Sequence, residues 1–397
     1  MTGPLTGIRV IDLTQVLFGP FATMLLSDMG AEVIKIERPE VGDIARGNGP
    51  VVRGLSTYFL SLNRGKQSVT LDLTTARGKE IFFKLVEKAD MLVENFTPGT
   101  MEKLGLSYEV VRQHNPRLIY IAGSGFGQYG PYAHKPAFDI VIQAMGGVMS
   151  ITGEEDGPPV RPGVSYGDIT AALFLSIAAL AALEERHRSG EGQLIDISML
   201  DCQVAVQENA FVRYLNTGEI PRPLGTRHPV TTPFQAFQTR DGYVAVALMG
   251  GLKDQWPLFC AAINRVDLID DPRFRNGWLR TQHYQELEPI LTEAMKARMT
   301  KEWVEELERL EIPCGPVNNI AQVASDPQIA AREMIIEVNH PRAGSFKVVN
   351  NPFRFSRTPC LIEQASPDLG EHTPEVLSRL LGMTEAEISQ LKTGRVV

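Results

Sequence analysis

The sequence predicts an α/β protein: a parallel sheet with helices on both faces, followed by a smaller α+β domain. Three observations carry this. Short apolar strands alternate with helical stretches from Ile8 to Ile197, the rhythm of a parallel sheet crossed over by helices. A stretch rich in proline then interrupts that rhythm. The length of 397 residues also exceeds the size at which a single core usually stops growing, so two domains are expected.

The elements follow in order. Ile8–Leu13 is a short apolar strand, Phe21–Met29 a helix ended by Gly30, and Val33–Glu37 a second strand closed by Arg38-Pro39. Ala76–Lys88 is helical because Ile81, Phe82, Leu85 and Val86 recur on one face. Met91–Val93, Leu118–Ala122 and Leu194–Ile197 are further strands. Ile169–Leu183 is an uncharged helical run. The segment 216–233 carries Pro221, Pro223, Pro229 and Pro233 and reads as a linker. Beyond it, Val244–Leu248 is a strand after the Asp241-Gly242 turn, and helices dominate from Lys253 to Leu310. Near the end, Thr384 with Glu387 forms a capping box, and Gly382 stops the helix before it. The expected division is therefore residues 1–215 as the large domain, 216–233 as linker, 234–318 as the small domain and 319–397 as a C-terminal segment.

Composition excludes several functions. The formal net charge is -8 and no basic run is present, which disfavours nucleic acid and anionic membranes as partners while leaving room for a local phosphate pocket. Cys202, Cys260, Cys314 and Cys360 are widely spaced, and the seven histidines do not cluster. Neither a disulfide framework nor a metal site is expected. The N-terminus lacks a signal-peptide pattern. The run 169–183 is too short to span a bilayer and meets Glu184-Glu185-Arg186-His187-Arg188 at once. The expectation is a soluble, cytoplasmic protein.

The candidate for chemistry is Asp168, in Ser165-Tyr166-Gly167-Asp168 at the head of that apolar helix. Aspartate there can simply cap the first turn. The same place, at the positive end of the helix dipole, can also hold an ionised nucleophile. Local sequence leaves both open. Gly125-Phe126-Gly127-Gln128-Tyr129-Gly130 matches the dinucleotide fingerprint, but Pro131 and Pro136 follow where a helix should open. A flexible loop near a ligand fits better. Lys35, Arg38, Lys66, Lys103 and Lys135 lie close to strand ends or glycine turns, where such sheets bind ligands, and together could hold a phosphorylated cofactor. Asn95 ends a strand and can offer its amide. No G-x-S-x-G elbow is present.

These residues add up to a resemblance. Leu5-Thr6-Gly7-Ile8-Arg9-Val10-Ile11-Asp12-Leu13, the block Gly30–Pro39 and Val93-Glu94-Asn95-Phe96 with Pro98-Gly99 are similar to the class III CoA-transferases, the family of formyl-CoA transferase and carnitine CoA-transferase. So are Tyr166-Gly167-Asp168, Leu183-Glu184-Glu185-Arg186 with Gly190 and Gly192-Gln193, Ile312–Val317, and Leu369-Gly370-Glu371-His372-Thr373. The blocks run in order from about residue 4 to the C-terminus.

The resemblance implies a Rossmann-like large domain, completed by the C-terminal segment, in an interlocked homodimer, an exception to ordinary unthreaded topology. It implies that Asp168 attacks an acyl-CoA thioester and carries an aspartyl-CoA intermediate, moving CoA from a donor such as succinyl-CoA to a small dicarboxylic acid. CoA is then a co-substrate, with no permanently bound cofactor. Arg38 and Lys135 would meet its phosphates and adenine end, with Lys103 as a further cation; Lys66 joins them as a CoA-binding candidate by its place near a strand end. Asn95 and Phe96 would line the pantetheine path, and Gln15 and Val16 would lie near the thioester. Arg46, Arg222, Arg227 and His228 are candidates for a distal carboxylate. The family's glycine run over the site is missing; Gly250-Gly251 is its short counterpart. That weakens formyl-CoA:oxalate specificity. Acyl-CoA racemases share many blocks, but Phe138-Asp139 stands where they use His-Asp, and phenylalanine cannot move a proton.

Overall fold

The computed structural model describes residues 3–248 and 254–397; Gly250-Gly251 fall outside the described residues. The chain divides into two compact units. Residues 1–148, 161–218 and 328–397 form the large one, and residues 149–160 and 219–327 the small one. Residues 149–160, read in sequence as part of the first domain, thus group with the small unit.

The large unit is built on β1 (Arg9–Asp12), α1 (Phe18–Asp28), β2 (Glu32–Glu37), α2 (Thr57–Leu62), β3 (Gln67–Thr70), α3 (Ala76–Val86), β4 (Met91–Glu94), β5 (Ile119–Ser124), α4 (Asp139–Met145), α5 (Tyr166–Ser189), β6 (Leu194–Ser198) and α6 (Met199–Val206). The six strands lie in the order β3-β2-β1-β4-β5-β6, all parallel. This is the doubly wound order of a Rossmann sheet, reversing direction between β1 and β4. Alternate residues feed two cores. Ile11, Ile34, Leu92 and Tyr120 face α3 and the C-terminal helices Thr373–Leu381 and Glu385–Thr393. Val10, Val33, Val93 and Ile121 face α1 and α5.

Local signals explain the boundaries. α1 starts three residues earlier than its apolar pattern suggests, because Pro20 is tolerated in a first turn that needs no N–H from it. Gly19 is required there, since a Cβ would sit 2.4 Å from the Thr14 side chain. α5 runs on through its charged end, placing Arg186, His187 and Arg188 in the last turn, where cations favour the dipole. Gly190, at φ 80°, ends it. Strand β3, polar and four residues long, carries no pattern that sequence reading detects. The capping box forms as read: Glu387 N donates to Thr384 Oγ1 and Thr384 N to Glu387 Oε2.

The small unit carries β7 (Phe234–Gln238), β8 (Tyr243–Ala247) and β9 (Cys314–Pro316) in an antiparallel sheet ordered β9-β8-β7. Helices α7 (Gln255–Ala262), α8 (Tyr284–Met295) and α9 (Thr300–Arg309) share its core through Phe259, Leu287, Leu291, Trp303 and Leu307. All four cysteines are unpaired thiols. Among the described residues no cluster of His, Cys, Asp or Glu could hold a metal ion.

Candidate active site

Open parallel sheets bind ligands beyond the carboxyl ends of their strands, at the point where the order reverses. Here that point is the turn after β1, Thr14 to Leu17, beside the end of β4. Three side chains from outside β1 pin the turn. Asn95 accepts from Gln15 N at 2.7 Å and returns its amide to Gln15 O at 2.9 Å. Asp43 accepts from Val16 N at 3.1 Å. Lys35 Nζ donates to Thr14 O at 2.6 Å and pairs with Asp43 at 2.9 Å. Val16 sits at φ 68°, a left-handed conformation that a β-branched residue adopts only when its surroundings hold it there. Gln15, Val16 and Asn95 are thus brought into one rigid unit. Phe96 follows, its N–H donated to Glu94 at 2.7 Å. Burial pushes the Glu94 carboxyl up to about 8.

Asp168 lies in the first turn of α5, two residues past its first residue, Tyr166. α5 runs into β6 and α1 out of β1, both antiparallel to the strands they join, so the two helices begin at the carboxyl edge of the sheet. Asp168 does not cap its helix. Gly167 N donates to Asp139 Oδ1 at 2.9 Å and Asp168 N to the same oxygen at 3.4 Å, while the Asp168 carboxylate accepts no hydrogen bond among the described residues. Burial, with the like charge of Asp139 adding to it and Arg161 opposing, pushes its carboxyl up to about 7. Tyr58 on α2 is half-buried within reach of the charges of Asp168, Asp43 and Asp139, and burial together with those carboxylates raises its phenol to about 12. Tyr58 thus feels the charge both of Asp168 at the start of α5 and of Asp43, which holds the β1–α1 turn.

The remaining candidates separate cleanly. Arg38 after β2, Lys103 in the short helix Thr100–Leu104 after β4, and Lys135 in the loop after β5 are exposed, and among the described residues none makes an ion pair. Lys135 lies over the Tyr132 ring, 3.8 Å from its centroid. Lys66 is a correction. Its side chain is fully buried, and its ammonium donates to Asp12, Thr23, Asn63 and the Pro20 carbonyl at 2.8–3.0 Å. It has no proton left for a phosphate and belongs to the core. Arg46 is likewise committed, chelated by Glu37 and stacked on Phe59. In the small unit, Arg227 pairs with Glu155 over the Tyr284 ring. His228 lies tilted against the Phe234 ring, centroids 5.0 Å apart at 45°, and Arg222 is exposed. The loop Gly125–Gly130 opens no helix; the next begins at Asp139. Sequence reading missed Asp43, Tyr58 and Arg161, none of which stands in a local motif.

With a free carboxylate at a helix start, on the carboxyl edge of a Rossmann sheet ringed by unpaired cations, comparison with known proteins is decisive. A model of CoA-transferase family III matches residues 5–373. The chain belongs to this family. Succinyl-CoA:glutarate CoA-transferase of Mus musculus is 40% identical over 395 residues, which is 99% of this chain and 90% of the relative. Acetyl-CoA:oxalate CoA-transferase of Acetobacter aceti is 41% identical over 355 residues, 89% of this chain and 90% of the relative. The crystal structure of a CAIB/BAIF family protein from Brucella suis superposes with a TM-score of 0.84 at 37% identity, covering 96% of this chain and all of the other. As a class III CoA-transferase, the enzyme uses a CoA thioester as co-substrate.

Proposed function

We propose that this CoA-transferase moves CoA from an acyl-CoA such as succinyl-CoA to a small dicarboxylic acid, with Asp168 as its nucleophile. The observation that carries the reading is that Asp139 caps the first turn of α5, while the Asp168 carboxylate in that turn accepts no hydrogen bond among the described residues. The two relatives support this acceptor class, since glutarate and oxalate, the acids paired with their CoA donors, are both dicarboxylates.

A carboxylate oxygen of Asp168 attacks the thioester carbonyl; the C–S bond breaks, CoA thiolate leaves, and a mixed anhydride remains. The thiolate attacks the aspartyl carbonyl, releasing the first acid and leaving an aspartyl-CoA thioester. The incoming acid attacks that thioester, releasing the thiolate again. The thiolate then takes the new acyl group and restores Asp168. Covalent catalysis here divides one hard exchange into easier ones. The helix dipole favours the ionised carboxylate, and burial raises its basicity and so its nucleophilicity. In this reading Arg38, Lys103 and Lys135 take the phosphates and adenine end of CoA, Asn95 and Phe96 the pantetheine, and the Gln15–Val16 turn flanks the thioester.

Two measurements test this. Hydroxylamine added during turnover should convert Asp168 to a hydroxamate that mass spectrometry locates, and its absence with every active donor would remove the covalent route. Because Asp168 must be ionised to attack, kcat/KM should fall tenfold per pH unit below about 7. A flat profile from pH 5 to 8 would contradict it. Succinyl-CoA and acetyl-CoA assayed against labelled glutarate and oxalate identify the pair of acids. Deuterium entering an α-carbon without an acceptor acid would instead point to a racemase.

We further propose a homodimer in a reducing compartment, a setting supported by the four unpaired thiols. α5 is 24 residues long and apolar enough by composition to cross a membrane, yet half of that stretch is buried within the unit. On its other face Leu173, Ile177 and Leu180 are 45%, 61% and 37% exposed, a stripe that a second copy would cover. Ile177→Asp should lower the light-scattering mass from twice 43.8 kDa to 43.8 kDa. A variant that is still dimeric removes this face from the interface.

A further inference from the structure

Helix α5 is capped from a distance. Ser165 occupies its N-cap position, but its side chain makes no capping bond. The donors of the first turn go to Asp139, the first residue of α4, whose Oδ1 receives Gly167 N and Asp168 N. The other oxygen, Oδ2, accepts from Gln143 Nε2 at 2.7 Å and from Arg161 Nε and Nη2 at 3.2 and 2.9 Å. Arg161 Nη2 also donates to Ser165 Oγ at 3.1 Å. One buried carboxylate, 8% exposed, therefore ties the starts of two helices to the arginine that stands just before α5. Gly167 fits closely under it: a Cβ there would lie 3.1 Å from Asp139 Oδ1.

We propose that Asp139 and Arg161 are positioning residues for the transfer reaction, Asp139 fixing the first turn of α5 and Arg161 fixing Asp139. The inference rests on Asp168 being the nucleophile. By taking the Gly167 and Asp168 N–H groups, Asp139 does the work that the Ser165 side chain at the N-cap leaves undone, and among the described residues the Asp168 carboxylate accepts no hydrogen bond, not even the N-cap N–H that an acid at the third position can take. Because the Gly167 and Asp168 N–H groups are held, the backbone that carries the nucleophile is fixed before substrate binds, and pre-set geometry is worth orders of magnitude in rate.

The charged and titratable groups facing Asp168 are Asp139 from α4, Arg161 from the segment entering α5, and Tyr58 from α2, which also meets Asp43. Asp139 and Arg161 act on it in opposite directions. A carboxylate favours the protonated nucleophile and a guanidinium the ionised one. A merely structural role would not predict paired shifts of opposite sign.

The test is the pH dependence of kcat/KM for the full-length enzyme and two variants. With Asp139→Asn, the acid limb should move down by about half a unit to one unit, and the plateau should fall roughly 10- to 100-fold as the first turn loosens. With Arg161→Met, the limb should move up. Limbs that stay in place, or that move in the same direction in both variants, overturn the proposal. Should Asp139→Asn fail to fold, Arg161→Met alone decides by the direction of its shift. If Asp168→Asn keeps full activity, the nucleophile reading fails first. If Asp168→Asn is inactive while both limbs are unmoved, only the positioning roles fail.

Discussion

Replacing Asp168 by asparagine should abolish CoA transfer and at the same time stabilise the protein above neutral pH. The loss of turnover should be on the order of 10⁴-fold or more, the scale of removing a covalent nucleophile. The stability effect follows from linkage. The folded carboxyl titrates at about 7 rather than at its usual 3.8. Between those values the native chain holds a proton that the unfolded chain has lost, so stability falls as pH rises through that window. Above pH 7 the full cost is present; below pH 4 it vanishes. Taken at face value the shift corresponds to about 4 kcal/mol, and solvent screening at a half-buried group reduces the expected gain to about 2 kcal/mol. Asp168→Asn should therefore raise the denaturation midpoint at pH 8 and leave it unchanged at pH 4. A variant equally stable at both would mean that the carboxylate is not held against its own preference. Such a cost is what a site residue imposes on the fold, and a simple helix cap would show the reverse sign.

Most of the large-unit fold was legible because it is written in local pattern. The apolar strands β1, β2, β4 and β5 and the periodic face of α3 carry their own signatures. β3 and β7 did not, because Gln-Ser-Val-Thr and Phe-Gln-Ala-Phe-Gln are short and half polar. They become strands through their neighbours β2 and β8. The segment 149–160 is equally silent; no composition shift marks it as leaving the large unit before Arg161 returns.

The site was legible only where resemblance supplied it. Local sequence leaves Asp168 open between capping and chemistry; that its first turn is capped by another residue depends on Asp139, 29 residues away. The Asn95 staple on Gln15 spans 80 residues and the Asp43 bond to Val16 spans 27. Contacts of that range are properties of the switch point in the sheet. Position near a strand end also cannot tell an exposed cation from a buried one. Arg38, Lys103 and Lys135 remain in solvent, whereas Lys35 and Lys66 are drawn under the β1–α1 turn by Asp12 and Asp43.

The second large effect tests that distinction. Lys66→Met should destabilise the protein by about 3–5 kcal/mol, since it strands the fully buried Asp12 without its main counter-charge. A phosphate-binding surface lysine would cost almost nothing in stability and would raise KM for the acyl-CoA. Burial pushes the Asp12 carboxyl up, but Lys66 and then Lys35, with hydrogen bonds from Thr14 and Thr23, outweigh it and hold the group down to about 2. Its folded value lies below the usual 3.8, so it contributes stability above that pH, which is lost as pH falls through 2. Removing Lys66 raises the folded value, so the deficit should be largest near neutrality and shrink toward pH 4. Adding Asp12→Asn to Lys66→Met should recover part of the loss, because a neutral amide no longer needs the ammonium. Equilibrium denaturation of both variants at pH 4.5 and 7.5 decides the matter. A pH-independent deficit, or no recovery in the double variant, would mean that Lys66 acts through packing alone. Activity should follow, because Asp12 also accepts from Thr14 N and Oγ1 at 2.8 and 2.5 Å. The same buried charges that decide stability hold the turn that carries Gln15 and Val16.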